Sequence, residues 1–473
     1  MHLAERVQGL TVRGFGLCGS TFRGFTLRGL ALRWGAVRPA HLVALTVVLV
    51  CVPPGNQDVT AQVHVTPADV GSLALVAITL PWALWRRTRF MPLRAAVLSA
   101  ATLVGVGVAT AASQDPHTSL SGFVRFVQIF VVVPAAVLYA VRDRRDLRLV
   151  FGAFAAAALL EGALGVSQYL TGTGASYAGG DQRAVGTFGA QDVMAMSVVV
   201  SFGLLAALGL ALEARREQRT VPMRWWSLTA LALSVPLALS FSRGSWIATG
   251  VAVTVVLLLT DVRLLLRCVV VATAAGVVLL GGLAAGGVVK MGGPDGGQAS
   301  VTARLASIGS VTGAADHSVT DRYDLWTTAE RIWRAHPVTG VGPKEFPAFR
   351  DASAPLRLSS GSDTGGAGAA YSREPLLSPH NMYLLVLSEQ GLLGLTCFGA
   401  LLLGTALGCW RNPAVLGLLV WQLVDFLYAD IGGTTTVLIS VLLGLCAGVG
   451  TRPGPLAIPS PRSALTRREA SAR

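Results

Sequence analysis

Charge is what this chain has least of. Charged residues make up 13% of its 473 positions, against 52% hydrophobic ones, and mean hydropathy is +0.59. That is too few to cover the surface of a water-soluble globule. Cysteine is sparse too. Cys51, Cys268, Cys397, Cys409 and Cys446 fall in or beside apolar runs and Cys18 lies in a basic leading segment. No disulfide framework is therefore expected outside the apolar runs, and no Cys/His spacing suggests zinc. There is no room for a soluble nucleotide-binding domain, which speaks against a cytoplasmic sugar-nucleotide enzyme. Gly105 and Gly107 sit inside an apolar run and do not form a dinucleotide loop. No apolar core precedes residue 41, so a cleavable signal peptide is not expected.

What is abundant is uninterrupted apolar sequence. About twelve runs recur, at roughly 40–53, 67–85, 93–113, 120–141, 149–170, 191–213, 226–241, 245–260, 268–288, 380–409, 413–429 and 433–450. Most approach the ~20 residues that cross about 30 Å of hydrocarbon as a helix. The first is short, and the two flanking Arg243 also read as one broken helix. The expected fold is an all-α integral membrane protein of about twelve transmembrane helices, with one long extracytoplasmic loop carrying an amphipathic helix.

Basic residues set the orientation. With the N-terminus inside, the cytoplasmic segments are the leading segment to Arg38, RRTRFMPLR, RDRRDLR, RREQRTVPMR, DVRLLLR, WRNP and the tail from Thr451, which hold 26 of the 38 basic residues. Both termini are expected in the cytoplasm. The formal net charge of +13 then reflects membrane insertion and anionic headgroups, with no nucleic-acid partner expected. The expected organisation is a basic tail over 1–38, nine helices over 39–288, a loop over 289–378, three helices over 379–450 and a tail over 451–473.

The long loop, from about 288 to 378, carries nine basic and nine acidic residues. Its ends, KMGGPDGGQAS and LSSGSDTGGAGAAYS, read as flexible linkers or a lid. Between them, 321–336 predicts a helix capped by Asp321, stopped by Pro337, and apolar along Trp326, Ala329 and Trp333. Such a helix rests at a membrane boundary, here with Arg322 directed inward.

Chemistry concentrates at these boundaries. Ser378-Pro379-His380-Asn381 places an imidazole, whose ordinary pKa lies near working pH, where polar sequence meets apolar. Arg183 in GGDQRAVGTFGA, Arg243 in SFSRGSWIA and Arg322 in DRYDLW stand at comparable boundaries on the side where basic residues are otherwise scarce. Guanidiniums neutralise a departing phosphate oxygen in a planar, bidentate way without a divalent ion, and no Asp-x-Asp metal motif occurs in the outer segments. Arg125 lies several residues inside an apolar run, where charge usually faces a cavity, and is a further candidate for diphosphate or glycan contact. Glu389, with Glu161 and Asp425, is an intramembrane acid. Glu389 falls nine residues beyond His380, on a different face of an ideal helix. Each site also has a plainer reading: His380 as an interfacial or capping residue, Arg243 snorkelling, Arg322 pairing with Asp321 or Glu330, Arg183 as a loop charge, the acids as structural partners.

The run RYDLWTTAERIWRAHPVTGVGPKEF, followed by SPHNMYLLVLSEQGLLGL, resembles the C-terminal signature of the O-antigen ligase and polymerase superfamily. SFSRGSWIA is similar to its Ser-Arg-Gly motif and RAVGTFGAQD to its Arg-x-x-Gly-Thr-Phe segment, with Ala190-Gln191-Asp192 replacing the usual Asn-Pro or Pro-Asn. The resemblance covers roughly residues 150–400. It implies transfer of a glycan from an undecaprenyl-diphosphate carrier to a glycan, lipid or cell-wall acceptor, at the outer face of the cell membrane. It further implies an inverting, metal-independent reaction with no cofactor. His380 would be general base, Arg243 and Arg322 would hold the diphosphate, Arg183 and Arg125 would be additional contacts, and Asn381 and Glu389 secondary candidates. The alternative is a transporter or flippase of lipid-linked glycans, which predicts paired half-repeats; none is seen. A third reading, a polytopic scaffold, requires no outer arginine set.

Overall fold

In the computed structural model the residues described are 38–53, 65–85, 91–177, 183–285, 317–356, 358, 361–366 and 372–450. The tails at 1–37 and 451–473, all of 286–316 with the linker KMGGPDGGQAS, and 367–371 lie outside them. The helices are α1 (Pro39–Leu49), α2 (Pro67–Trp85), α3 (Leu93–Ala111), α4 (Pro116–Val127), a π-turn (Gln128–Val132), α5 (Val133–Ala140), α6 (Arg144–Thr171), α7 (Ala195–Arg216), α8 (Thr220–Leu239), α9 (Arg243–Thr260) and α10 (Val262–Ala285). There follow α11 (His317–Ala335), α12 (Phe346–Ser353), α13 (Met382–Cys409), α14 (Pro413–Asp425) and α15 (Thr436–Gly450). Each apolar run of the sequence is occupied by helix. Among the described residues seven helices are long and apolar enough to cross a membrane, α4 and α5 counting as one, and α1, α14 and α15 are shorter apolar helices.

The physical logic is that of helices in lipid. Every main-chain polar group must find a partner within the chain, and close approach needs small residues. Helix α7 packs along α6 and α8 and is buried along most of its length. At Gly203 a Cβ would lie 2.8 Å from the Phe154 carbonyl oxygen of α6. A second seam joins α9 to α14, and a third joins α13 to α3. One continuous apolar core runs through these contacts, centred on Trp421, Phe202, Phe398 and Phe426.

Three features depart from the sequence reading. A three-stranded antiparallel sheet, unforeseen, joins β1 (Ala175–Tyr177) to β2 (Gly361–Gly366) and β2 to β3 (Ser372–Pro375). Glycine- and serine-rich sequence pairs here because the central β2 offers backbone partners to β1 on one side and β3 on the other. Helix α11 begins at His317, ahead of Asp321, and its buried face runs through Leu325, Ala329 and Ile332; Trp326 and Trp333 are only half-buried. Helix α13 begins at Met382, so Pro379, His380 and Asn381 belong to the preceding turn and not to the apolar run that starts at 380 in the sequence.

Candidate functional site

Several short devices converge on that turn. Asn381 caps α13 by accepting from the Leu384 main chain at 3.1 Å, and its amide donates to the Leu427 carbonyl at 2.9 Å. The Met382 main chain donates to Phe426 and Ala429, at 2.9 and 3.0 Å. Asn381 is thus committed to holding the start of α13 against the turn after α14, residues 426–430. His380 itself has φ of 46°, in the left-handed region that non-glycine residues seldom occupy. Its main-chain N–H reaches the Ser378 hydroxyl at 3.4 Å. On the other side Trp326 of α11 donates its indole N–H to the Pro379 carbonyl at 3.0 Å. The amphipathic helix is therefore tied directly to the histidine turn.

That tie brings Arg322, one helical turn before Trp326, into electrostatic reach of His380, Asp425 and Tyr428. Burial pushes the half-buried imidazole below the ordinary histidine value; Arg322 pushes it the same way, and Asp430 opposes both. Asp430 was missed by the sequence reading. Its Oδ2 is buried without a hydrogen-bond partner among the described residues, within electrostatic reach of His380. The available signal was faint, an acid at the end of an apolar run (DFLYADIGG), and only the fold places it beside His380.

Arg243 opens α9. The turn before it is shaped by Phe241, at φ of 49°, and by Ser242, which accepts from Ser245 N at 3.3 Å. Ser245 bonds Ser197 of α7 at 2.8 Å, fixing this helix start from behind. The Tyr428 hydroxyl donates to the carbonyl of Gly244, joining the Ser-Arg-Gly turn to the 426–430 turn.

The remaining candidates make contacts of their own, and Glu389 also lies within electrostatic reach of Asp430. Arg183 pairs its backbone with Ala175 of β1, at 2.8 and 3.1 Å, next to Ala184, which donates to the Leu239 carbonyl of α8. Arg125 forms an ion pair with Asp69 of α2, and Gln128 joins it to Ser72. A buried carboxylate on another helix accounts for an arginine within an apolar helix. Glu389 accepts from the main chain of Phe346 at 3.2 Å. Glu161 accepts from the Thr187 main chain and hydroxyl, at 2.9 and 2.8 Å, and so anchors the Gly-Thr-Phe segment. Asp192, which replaces the expected residue after that segment, accepts from the Thr434 main chain and hydroxyl at 3.1 and 2.9 Å. Among the described residues no cluster of three His, Cys, Asp or Glu has metal-holding geometry.

Residues 228–399, about a third of the chain, match the family model described as O-Antigen ligase. Over that segment the chain is similar to the O-antigen ligase family. The matched segment contains Arg243, Arg322 and His380, whereas Asp425, Tyr428 and Asp430 follow it. No curated protein matches the chain.

Proposed function

We propose that this membrane protein is a glycosyltransferase of the extracytoplasmic face, moving a glycan from undecaprenyl diphosphate to an acceptor hydroxyl. The observation that carries the reading is the convergence of Arg322, His380 and Asp430 across three separate elements, with Arg243 joined to the same turn through Tyr428. His380, held neutral by burial, takes the proton of the acceptor hydroxyl. The acceptor oxygen then attacks the anomeric carbon, and the bond from that carbon to the carrier phosphate breaks with its electron pair on oxygen. Arg243 and Arg322 stabilise that oxygen as charge develops, which fixed donors do at little reorganisation cost. Attack opposite to the leaving diphosphate inverts the anomeric centre. Asp430 stabilises the imidazolium that forms. With two guanidiniums meeting the charge, no divalent ion is invoked.

The basic-segment alternation supports both termini in the cytoplasm and α11 outside, with all twelve runs as crossings, so the site opens toward an outer-leaflet donor. Purified protein given a lipid-diphosphate glycan and an acceptor should form the transferred product, in EDTA as well as in buffer. Absence of transfer with every polyprenyl-diphosphate donor tried, or its abolition by EDTA, would count against this reading.

A further inference from the structure

The turn at 426–430 is held from two sides. On one, Asn381 and Met382, directly after His380, bond the carbonyls of Leu427, Phe426 and Ala429. On the other, the Tyr428 hydroxyl donates to the carbonyl of Gly244, directly after Arg243. The ring of Tyr428 also lies flat against that glycine: a Cβ at Gly244 would stand 2.6 Å from both Cδ2 and Cζ. A methyl there would force the Tyr428 ring to move. The ring is half-buried and lies within electrostatic reach of Arg322 and Asp425.

We infer that Tyr428 is a positioning residue, whose hydroxyl and ring fix the first turn of α9 against the His380 turn and so set the spacing between Arg243 and His380. The inference rests on the proposal that those two residues act on one substrate. A tyrosine that only filled space would act through its ring; one that positions Arg243 acts through its hydroxyl and through contact with Gly244. Displacement of a charge-stabilising group by about 1 Å is enough to cost on the order of a hundredfold in turnover.

The test is steady-state transfer with a lipid-diphosphate glycan by purified full-length variants, with melting temperature measured alongside. Tyr428→Phe keeps the ring and loses the hydroxyl; kcat should fall about tenfold while donor KM changes less than about twofold and melting is unchanged. Gly244→Ala should lose about a hundredfold, and adding Tyr428→Ala should recover at least about tenfold of that by vacating the ring's space. Wild-type kcat in Tyr428→Phe, or no recovery in the double variant, overturns the positioning role. Arg243→Ala and His380→Ala run in the same assay separate the two failures. If they lose turnover while Tyr428→Phe does not, only the inference falls; if they turn over normally, the site itself is wrong and the inference falls with it.

Discussion

In the proposed mechanism His380 is the base, and three properties suit it to that role: a left-handed backbone fixed by neighbours, burial, and a cation within electrostatic reach. Burial and Arg322 disfavour the charged imidazolium, so the neutral, proton-accepting form extends to lower pH than for a free histidine. Activity should fall on acidification with a midpoint below the ordinary value near 6.5; a pH–rate profile with its acid limb above that value would contradict the assignment. His380→Ala should reduce turnover on the order of a hundredfold or more, with donor binding retained. A variant that turned over normally at saturating donor but bound it weakly would make the histidine a ligand contact. For the arginines, Arg243→Ala and Arg322→Ala should each remove most transfer at normal abundance. Lysine should restore only part of it, because an ammonium is a point charge and not a planar fork. Full activity in both alanine variants would take them out of the mechanism.

At the scale of elements, the decisive feature is the break in α13. Gly391 has φ of 64°, and the loop before α12 fills the gap: Val341 and Gly342 donate to Ser388 and Glu389, while Leu392 and Leu393 donate to Pro337 and Val338. Irregular backbone at membrane depth is tolerable only when protein satisfies it in this way. Glu389 therefore completes a main-chain docking site for the loop that follows α11, and the helix carrying Arg322 is held both through Trp326 and through the loop at its C-terminal end. A side chain at Gly391 would be strained at that φ and would collide with the Thr339 amide, 2.6 Å from a Cβ. Gly391→Ala should lower stability by about 1–3 kcal/mol, from backbone strain alone. A thermal-shift measurement in detergent checks this, and an unchanged melting temperature would show that position 391 does not need the left-handed conformation.

At the scale of the whole molecule, function depends on which face of the membrane the site occupies. The proposed orientation predicts that a cysteine introduced at Ser362 is labelled from outside intact cells by an impermeant thiol reagent, and one at Ser471 is not. The reverse pattern would place the chemistry on the cytoplasmic side and exclude an outer-face transfer.

The sequence alone determined the helices and the candidate histidine and arginines. Apolar runs of near-membrane length can satisfy their backbone only as helices, and charge inside or beside them is costly enough to stand out. Even so, the edges were misplaced where tertiary contacts set them. Met382 begins α13 because Asn381 caps it and the 426–430 turn captures its first amide. Only the tertiary structure decided which charges work together. It paired Arg125 with Asp69, turned Glu389 onto the α12 loop, gave Asn381 to capping, and drew Asp430 and Tyr428 to His380 and Gly244. Those partners lie tens to hundreds of residues apart, and no local periodicity encodes their meeting; it follows from how α9, α11, α13 and α14 bury their apolar faces against one another.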